Sequence, residues 1–165
     1  MRKGEKGAFV SETATAEVRL PADRPPDWAN SLMKWALTKP VLQTTVGTSV
    51  GLLTFEGRRS KTIYTIPISY YRDGNTVTVV TKKLRKWWHN FETPIEVRLR
   101  LAGEEMTGKA AIMADFHEKL DYMTDYLADH PVDAKAYGLD KDHRTRESIA
   151  GIVPHIVVIR IELDN

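Results

Sequence analysis

Five consecutive residues, Gly57-Arg58-Arg59-Ser60-Lys61, combine the groups that recognise phosphate. Guanidinium forks match phosphate oxygens bidentately, while a hydroxyl and the N–H groups of a turn add further donors. A glycine at the head of the turn lets a ligand approach the backbone closely. A basic hairpin tip is more often simply solvated, so the turn alone does not define a site. A second run, Thr81-Lys82-Lys83-Leu84-Arg85-Lys86-Trp87-Trp88-His89-Asn90, adds four cations, two adjacent indoles and an asparagine able to fix backbone. Core packing is the expected role for at least one of Trp87 and Trp88.

The charge distribution ties the two runs together. Between Gly57 and Phe91 lie eight bases against one acid, Asp73, whereas the rest of the chain carries sixteen bases and twenty-one acids. A positive field concentrated in one segment favours an anionic ligand over a generally adhesive surface. Other chemistries find little support. His89, His117, His130, His143 and His155 show no ligand spacing with one another, so no metal site is expected, and H-E-x-x-H, G-x-S-x-G and P-loop motifs are absent. The chain has no cysteine, which excludes thiolate chemistry and a disulfide framework. Tyr64, Tyr70, Tyr71 and Tyr137 have hydroxyls suited to proton donation, but strand tyrosines are usually structural, and no catalytic residue is assigned.

The elements that must hold these runs are legible from periodicity. A chain of 165 residues suits one domain with a substantial core. Residues 1–26 read as a flexible arm ending in Pro25-Pro26, and residues 27–165 as the domain. Asp27 caps an expected helix in which Trp28, Leu32, Trp35 and Ala36 share a face before Pro40. This segment, near 28–38, plugs a barrel end or rests weakly on a membrane surface, and its few bases favour the plug. Three strands follow: Leu52–Phe55, Thr62–Tyr71 with Pro67 marking an edge or bulge, and a return through Val77, Val79 and Val80 after the Asp73-Gly74 turn. Lys82–Phe91 reads as a loop with a short helical turn.

Ile95–Leu101 alternates, Gly103 turns the chain, and Thr107–Ala111 continues as a strand. Asp115 starts a helix with Phe116, Leu120, Met123 and Leu127 on one face, ended by His130-Pro131. A second helical stretch is expected around Asp140–Ala150, and His155–Leu163 closes as a strand. Hairpin connections exclude a doubly wound parallel sheet. They predict a mainly β, α+β fold: a small antiparallel split barrel with helices packed on its ends. In such a hairpin the end of the third strand lies near the start of the second, bringing both basic runs to one barrel mouth. No apolar run approaches the roughly 20 residues needed to span a bilayer, and the N-terminus lacks a secretory apolar segment; a cytoplasmic location is expected.

The order of motifs carries a resemblance. Leu-Leu-Thr-Phe-Glu-Gly-Arg-Arg-Ser-Lys, Tyr-Thr-Ile-Pro-Ile-Ser-Tyr-Tyr-Arg-Asp-Gly-Asn, Val-Val-Thr-Lys and Trp-Trp-His-Asn-Phe together resemble the deazaflavin-dependent nitroreductase family, from about Leu52 to Leu101. That family belongs to the split-barrel flavin and deazaflavin oxidoreductases, with the fold of FMN-binding, pyridoxamine-phosphate-oxidase-like proteins. The resemblance implies a reductase that takes hydride from F-420 and passes it to a nitroaromatic, an enone-like lactone or a quinone. It implies that Arg58, Arg59 and Ser60 hold the phosphate or acidic tail; Lys61 and Tyr64, beside them, are further candidate cofactor-binding residues. Pro67, Thr81 and Lys82 would line the ring, and Trp88 and Asn90 would support the site, with Lys83 and Trp87 of the second run as further candidate cofactor-binding residues.

The chain departs from the family pattern at three places. Lys61 stands where the family commonly has glycine, Tyr64 where it often has arginine, and Lys82–Lys86 replaces a longer Gly-Gly loop. These departures keep FMN, or another anionic ligand, as an alternative cofactor. A binding module that sequesters a cofactor, haem or lipid-like anion is the alternative outside the enzymes. Nucleic acid ranks last: bases beside two tryptophans suit single-strand stacking, but the rest of the chain is acidic. The expected partner is a small-molecule acceptor, and the expected state a monomer or a homodimer.

Overall fold

The computed structural model describes residues 50–164; the N-terminal arm and the helix expected near 28–38 lie outside the described residues. Runs rich in β-branched residues form seven strands, β1 Val50–Glu56, β2 Ile63–Ser69, β3 Tyr71–Asp73, β4 Thr76–Lys82, β5 Ile95–Leu101, β6 Glu104–Ile112 and β7 Ile156–Leu163. All pair antiparallel in one sheet of order β2-β1-β5-β6-β7-β4-β3. The two edge strands, β2 and β3, are separated in sequence by Tyr70 alone. One stretch of chain therefore runs along both edges, and it can do so only if the sheet curls until those edges meet. The result is an antiparallel split barrel whose seam is residues 63–73.

Two sequence expectations change here. The Thr62–Tyr71 strand is two strands with a corner at Tyr70, so four strands, not three, precede the short helical turn. The second change concerns β4, which pairs with β3 and with β7, from Thr76 opposite Glu162 to Lys82 opposite Ile156. It has no ladder with β2, so the hairpin geometry expected to bring Lys82 beside the Gly57 turn does not occur. Pro67 sits opposite Leu52 on an edge strand, where its missing N–H costs no ladder bond.

Alternation along β7 explains how the sheet is buried on both faces. Val157, Ile159, Ile161 and Leu163 point into the barrel with Leu53, Leu99, Val79 and Phe91. Ile156 and Val158 point outward, at one end of the barrel, against a layer of helices. That layer holds α1 Phe116–Asp129, α2 Pro131–Ala136 and α3 Arg146–Ile152. Asp115 caps α1, its side chain accepting from the Glu118 N–H at 2.8 Å. Pro131, expected only to stop α1, also begins α2, since its fixed φ suits the first helical turn. The helix expected from Asp140 starts at Arg146 instead. Asp140 Oδ1 accepts the N–H groups of Asp142 and His143 at 3.1 and 3.0 Å, a local turn that competes with the helix.

Candidate functional site

The β1–β2 turn is closed by its own backbone. Gly57 N–H donates to Thr62 O and Lys61 N–H to Gly57 O, both at 2.8 Å, with Lys61 in the left-handed region at φ 57°. A Cβ on Gly57 would come within 2.5 Å of Ser60 Oγ and 2.6 Å of the Tyr64 ring, so only glycine leaves room for those side chains. Ser60 Oγ and Tyr64 OH share a hydrogen bond of 3.1 Å. Facing the turn is a 3-10 segment, Lys86–Phe91. Phe91 anchors it, fully buried in the barrel, with its ring 5.0 Å from Phe55 and 5.7 Å from Trp87, edge to face in both contacts. Burying an aromatic side chain this completely contributes roughly 1.5–3 kcal/mol, enough to fix a short segment that lacks side-chain caps.

Asn90 joins the two pieces. Its Oδ1 accepts the Arg58 N–H at 2.9 Å, and its Nδ2 donates to Trp87 O at 2.7 Å. Between turn and segment lies a cleft of about 830 Å³, lined by Phe55, Tyr64, Ile66 and Trp87 on its ring-bearing and apolar side. Arg58, Arg59, Ser60, Lys86, His89, Asn90 and Glu92 supply its polar side. Arg58 Nη1 donates to Glu92 Oε2 at 2.8 Å, while His89 Nδ1 contacts Glu92 Oε1 at 2.7 Å. These contacts, His89 first and then Arg58, hold the Glu92 carboxyl below the usual range. Arg59 and Lys86 make no ion pair among the described residues.

Of the residues singled out in the sequence, Arg58, Arg59, Ser60, Tyr64, Trp87 and Asn90 come together here. The others stand outside the cleft. Lys61 turns back to Glu56, Nζ to Oε1 3.3 Å. Pro67 lies midway along β2. Thr81 is buried, with no hydrogen-bond partner for its hydroxyl among the described residues. Lys82 is nearly buried opposite Ile156, and Lys83 N–H donates to His155 O at 2.9 Å; neither lines the cleft. Trp88 supports the segment from behind: its Nε1 donates to Lys83 O at 2.9 Å and its ring stacks 3.7 Å from His89.

Sequence reasoning did not single out Phe55 and Ile66, which read as ordinary strand residues, nor Glu92. Lys86 and His89 were seen only as parts of a basic run. The spacing of His89 and Glu92 was the available signal, since residues three apart eclipse on a 3-10 helix. Among the described residues no group of three or more His, Asp or Glu side chains could hold a metal ion. No described helix is long and apolar enough to cross a membrane.

A cleft of this volume, lined by cations and aromatic rings together, has the donor set for an aromatic cofactor carrying phosphate or carboxylate groups. Fold and site together define a split-barrel protein with a cleft lined by cations and aromatic rings. The chain matches the F420H(2)-dependent quinone reductase family over residues 33–147, and it belongs to that family. No curated protein matches it. Among solved structures, the protein Atu2129 from Agrobacterium tumefaciens, of unknown function, is 18% identical with a TM-score of 0.52, over 88% of this chain and 59% of that one. A structure described as a domain-swapped dimer is 14% identical with a TM-score of 0.52, over 84% of this chain and 100% of that one. General stress protein 26 from Bacillus anthracis is 20% identical with a TM-score of 0.45, over 81% and 89%. At these identities the first two likenesses bear on the fold alone.

Proposed function

We propose that the protein is a reductase that takes hydride from reduced F-420 and delivers it to a conjugated acceptor, a quinone in the first place, with enone-like lactones and nitroaromatics as the same chemical class. The observation that carries this reading is the cleft lined jointly by Arg58, Arg59, Ser60 and Lys86 and by Trp87 and Tyr64, in a chain of this family. F-420, when bound, supplies the hydride. The chain's own residues do the rest: the cations of the cleft attract the acidic groups of the ligand, its aromatic rings orient a flat ring, and the barrel side excludes water. The protein is taken to act in the cytoplasm, as a monomer or homodimer, on a small-molecule acceptor.

Titration with F-420 and with FMN, followed by fluorescence, tests the reading. Saturable F-420 binding is expected, and exchange of both Arg58 and Arg59 for alanine should weaken it by at least about tenfold, since charge-assisted hydrogen bonds are worth roughly 1.5–3 kcal/mol each. The melting temperature should change little. Saturation by FMN but not F-420 overturns the deazaflavin assignment. F-420 binding without reduction of any quinone, lactone or nitroaromatic acceptor leaves a binding module.

A further inference from the structure

The cleft contains its own anion. Glu92 lies on the wall where a ligand phosphate or carboxylate would be attracted, and it is shared by two partners, Arg58 on one oxygen and His89 on the other. Arg58 and Glu92 are about half exposed, as is His89, so all three are open to an incoming ligand. An ionised carboxylate accepts only, which fixes a proton on His89 Nδ1. With His89 neutral, Glu92 cancels Arg58, and the remaining positive charge on the wall is that of Arg59 and Lys86. With His89 charged, the one carboxylate is divided between two cations, and the wall gains a full unit of positive charge.

We propose that Glu92 and His89 form a proton-operated counter-anion that sets which anions the cleft accepts and couples their binding to uptake of a proton. Only the identity of the ligand rests on the deazaflavin reading; the coupling follows from the arrangement of charges. Among the described residues, the charged and titratable groups that line the cleft with His89 come from the turn, from β2 and from the 3-10 segment. Arg58 and Arg59 come from the β1–β2 turn, Tyr64 from β2, Lys86 and Glu92 from the segment itself and its end, and the Trp88 ring covers one face of the imidazole. Glu92 is the sole carboxylate among the described residues that line the cleft, which is why the charge state of its second partner matters.

Sulfate is the probe, because its charge is constant where histidine titrates, between about pH 5 and pH 8. Its affinity should rise as pH falls through that range by about threefold to tenfold, the effect of one added charge a few ångströms away on a half-exposed wall. His89→Gln should flatten this dependence. Glu92→Gln should tighten sulfate by a similar factor at every pH. A pH dependence that survives in H89Q, or weaker sulfate binding in E92Q, overturns the proposal; the second result would make Glu92 a positioning residue for Arg58. F-420 titrated against the same three proteins separates the two readings. Sulfate coupling without F-420 binding sinks the deazaflavin assignment alone, and F-420 binding without sulfate coupling sinks this one alone.

Discussion

Asn90 makes two hydrogen bonds that nothing else in the cleft can replace. Through them the Gly57–Lys61 turn and the Lys86–Phe91 segment are held at one spacing. Replacing Asn90 with alanine leaves the Arg58 N–H and the Trp87 carbonyl to water, at a cost of about 1–2 kcal/mol in stability. The larger consequence should be on binding, because the turn that carries Arg58 loses its fixed distance from the segment that carries Trp87; cofactor affinity should fall by about tenfold or more. Denaturant unfolding and cofactor titration of N90A measure the two effects, and an unchanged affinity would show that the turn is held without it. Asn90 was legible in the sequence because an asparagine beside paired tryptophans is a natural backbone clamp. Phe55 and Ile66 were not, since an apolar residue in an alternating strand looks the same whether it faces a core or the floor of a cleft.

At the scale of elements, the seam strand decides the architecture. Hairpin signals such as Asp73-Gly74, with Gly74 at φ 56°, and the alternation of Ile95–Leu101 follow from local chemistry, and they could be read directly. The corner at Tyr70 could not, because it is imposed by closure: β2 and β3 belong to opposite edges that the curled sheet brings together. The same closure explains why the strand that ends at Lys82 pairs with β7 and not with β2. Curling also demands a close approach at Gly108 in β6, where a Cβ would come within 2.4 Å of the Glu162 carbonyl oxygen on β7. Backbone cannot yield as a side chain can, so Gly108→Ala should cost about 1–3 kcal/mol. Gly151 in α3 is the control. A Cβ there meets nothing within 4 Å, and Gly151→Ala should be neutral or stabilise by up to about 1 kcal/mol. Equal effects of the two substitutions in denaturant unfolding would contradict the close-approach argument.

Across the whole molecule, β4 and β7 serve two cores at once, the barrel interior and the helical layer outside it. The layer also reaches the seam, where the Tyr71 ring of β3 packs edge-on against Tyr126 at 6.1 Å and His130 at 5.1 Å. Loosening the helices should therefore loosen barrel closure, and alkali offers a way to do it. Burial, with the Asp133 carboxylate adding to it, pushes the Tyr137 hydroxyl up to about 12. Burial first, and then the hydrogen bond that Tyr126 donates to Asp133, raise the Tyr126 hydroxyl further still. Both groups prefer the proton more strongly when folded than when unfolded, where they ionise near 10. The stability they contribute is thus complete below pH 10 and is lost as pH rises through 10 and beyond. Wild-type protein should exceed Tyr126→Phe in stability at neutral pH, and the gap should narrow as pH climbs from 10 towards 12. Denaturant unfolding of both proteins at neutral and alkaline pH measures that gap; one that stays constant would mean that Tyr126 contributes packing alone and that its bond to Asp133 does not couple the helices to the seam.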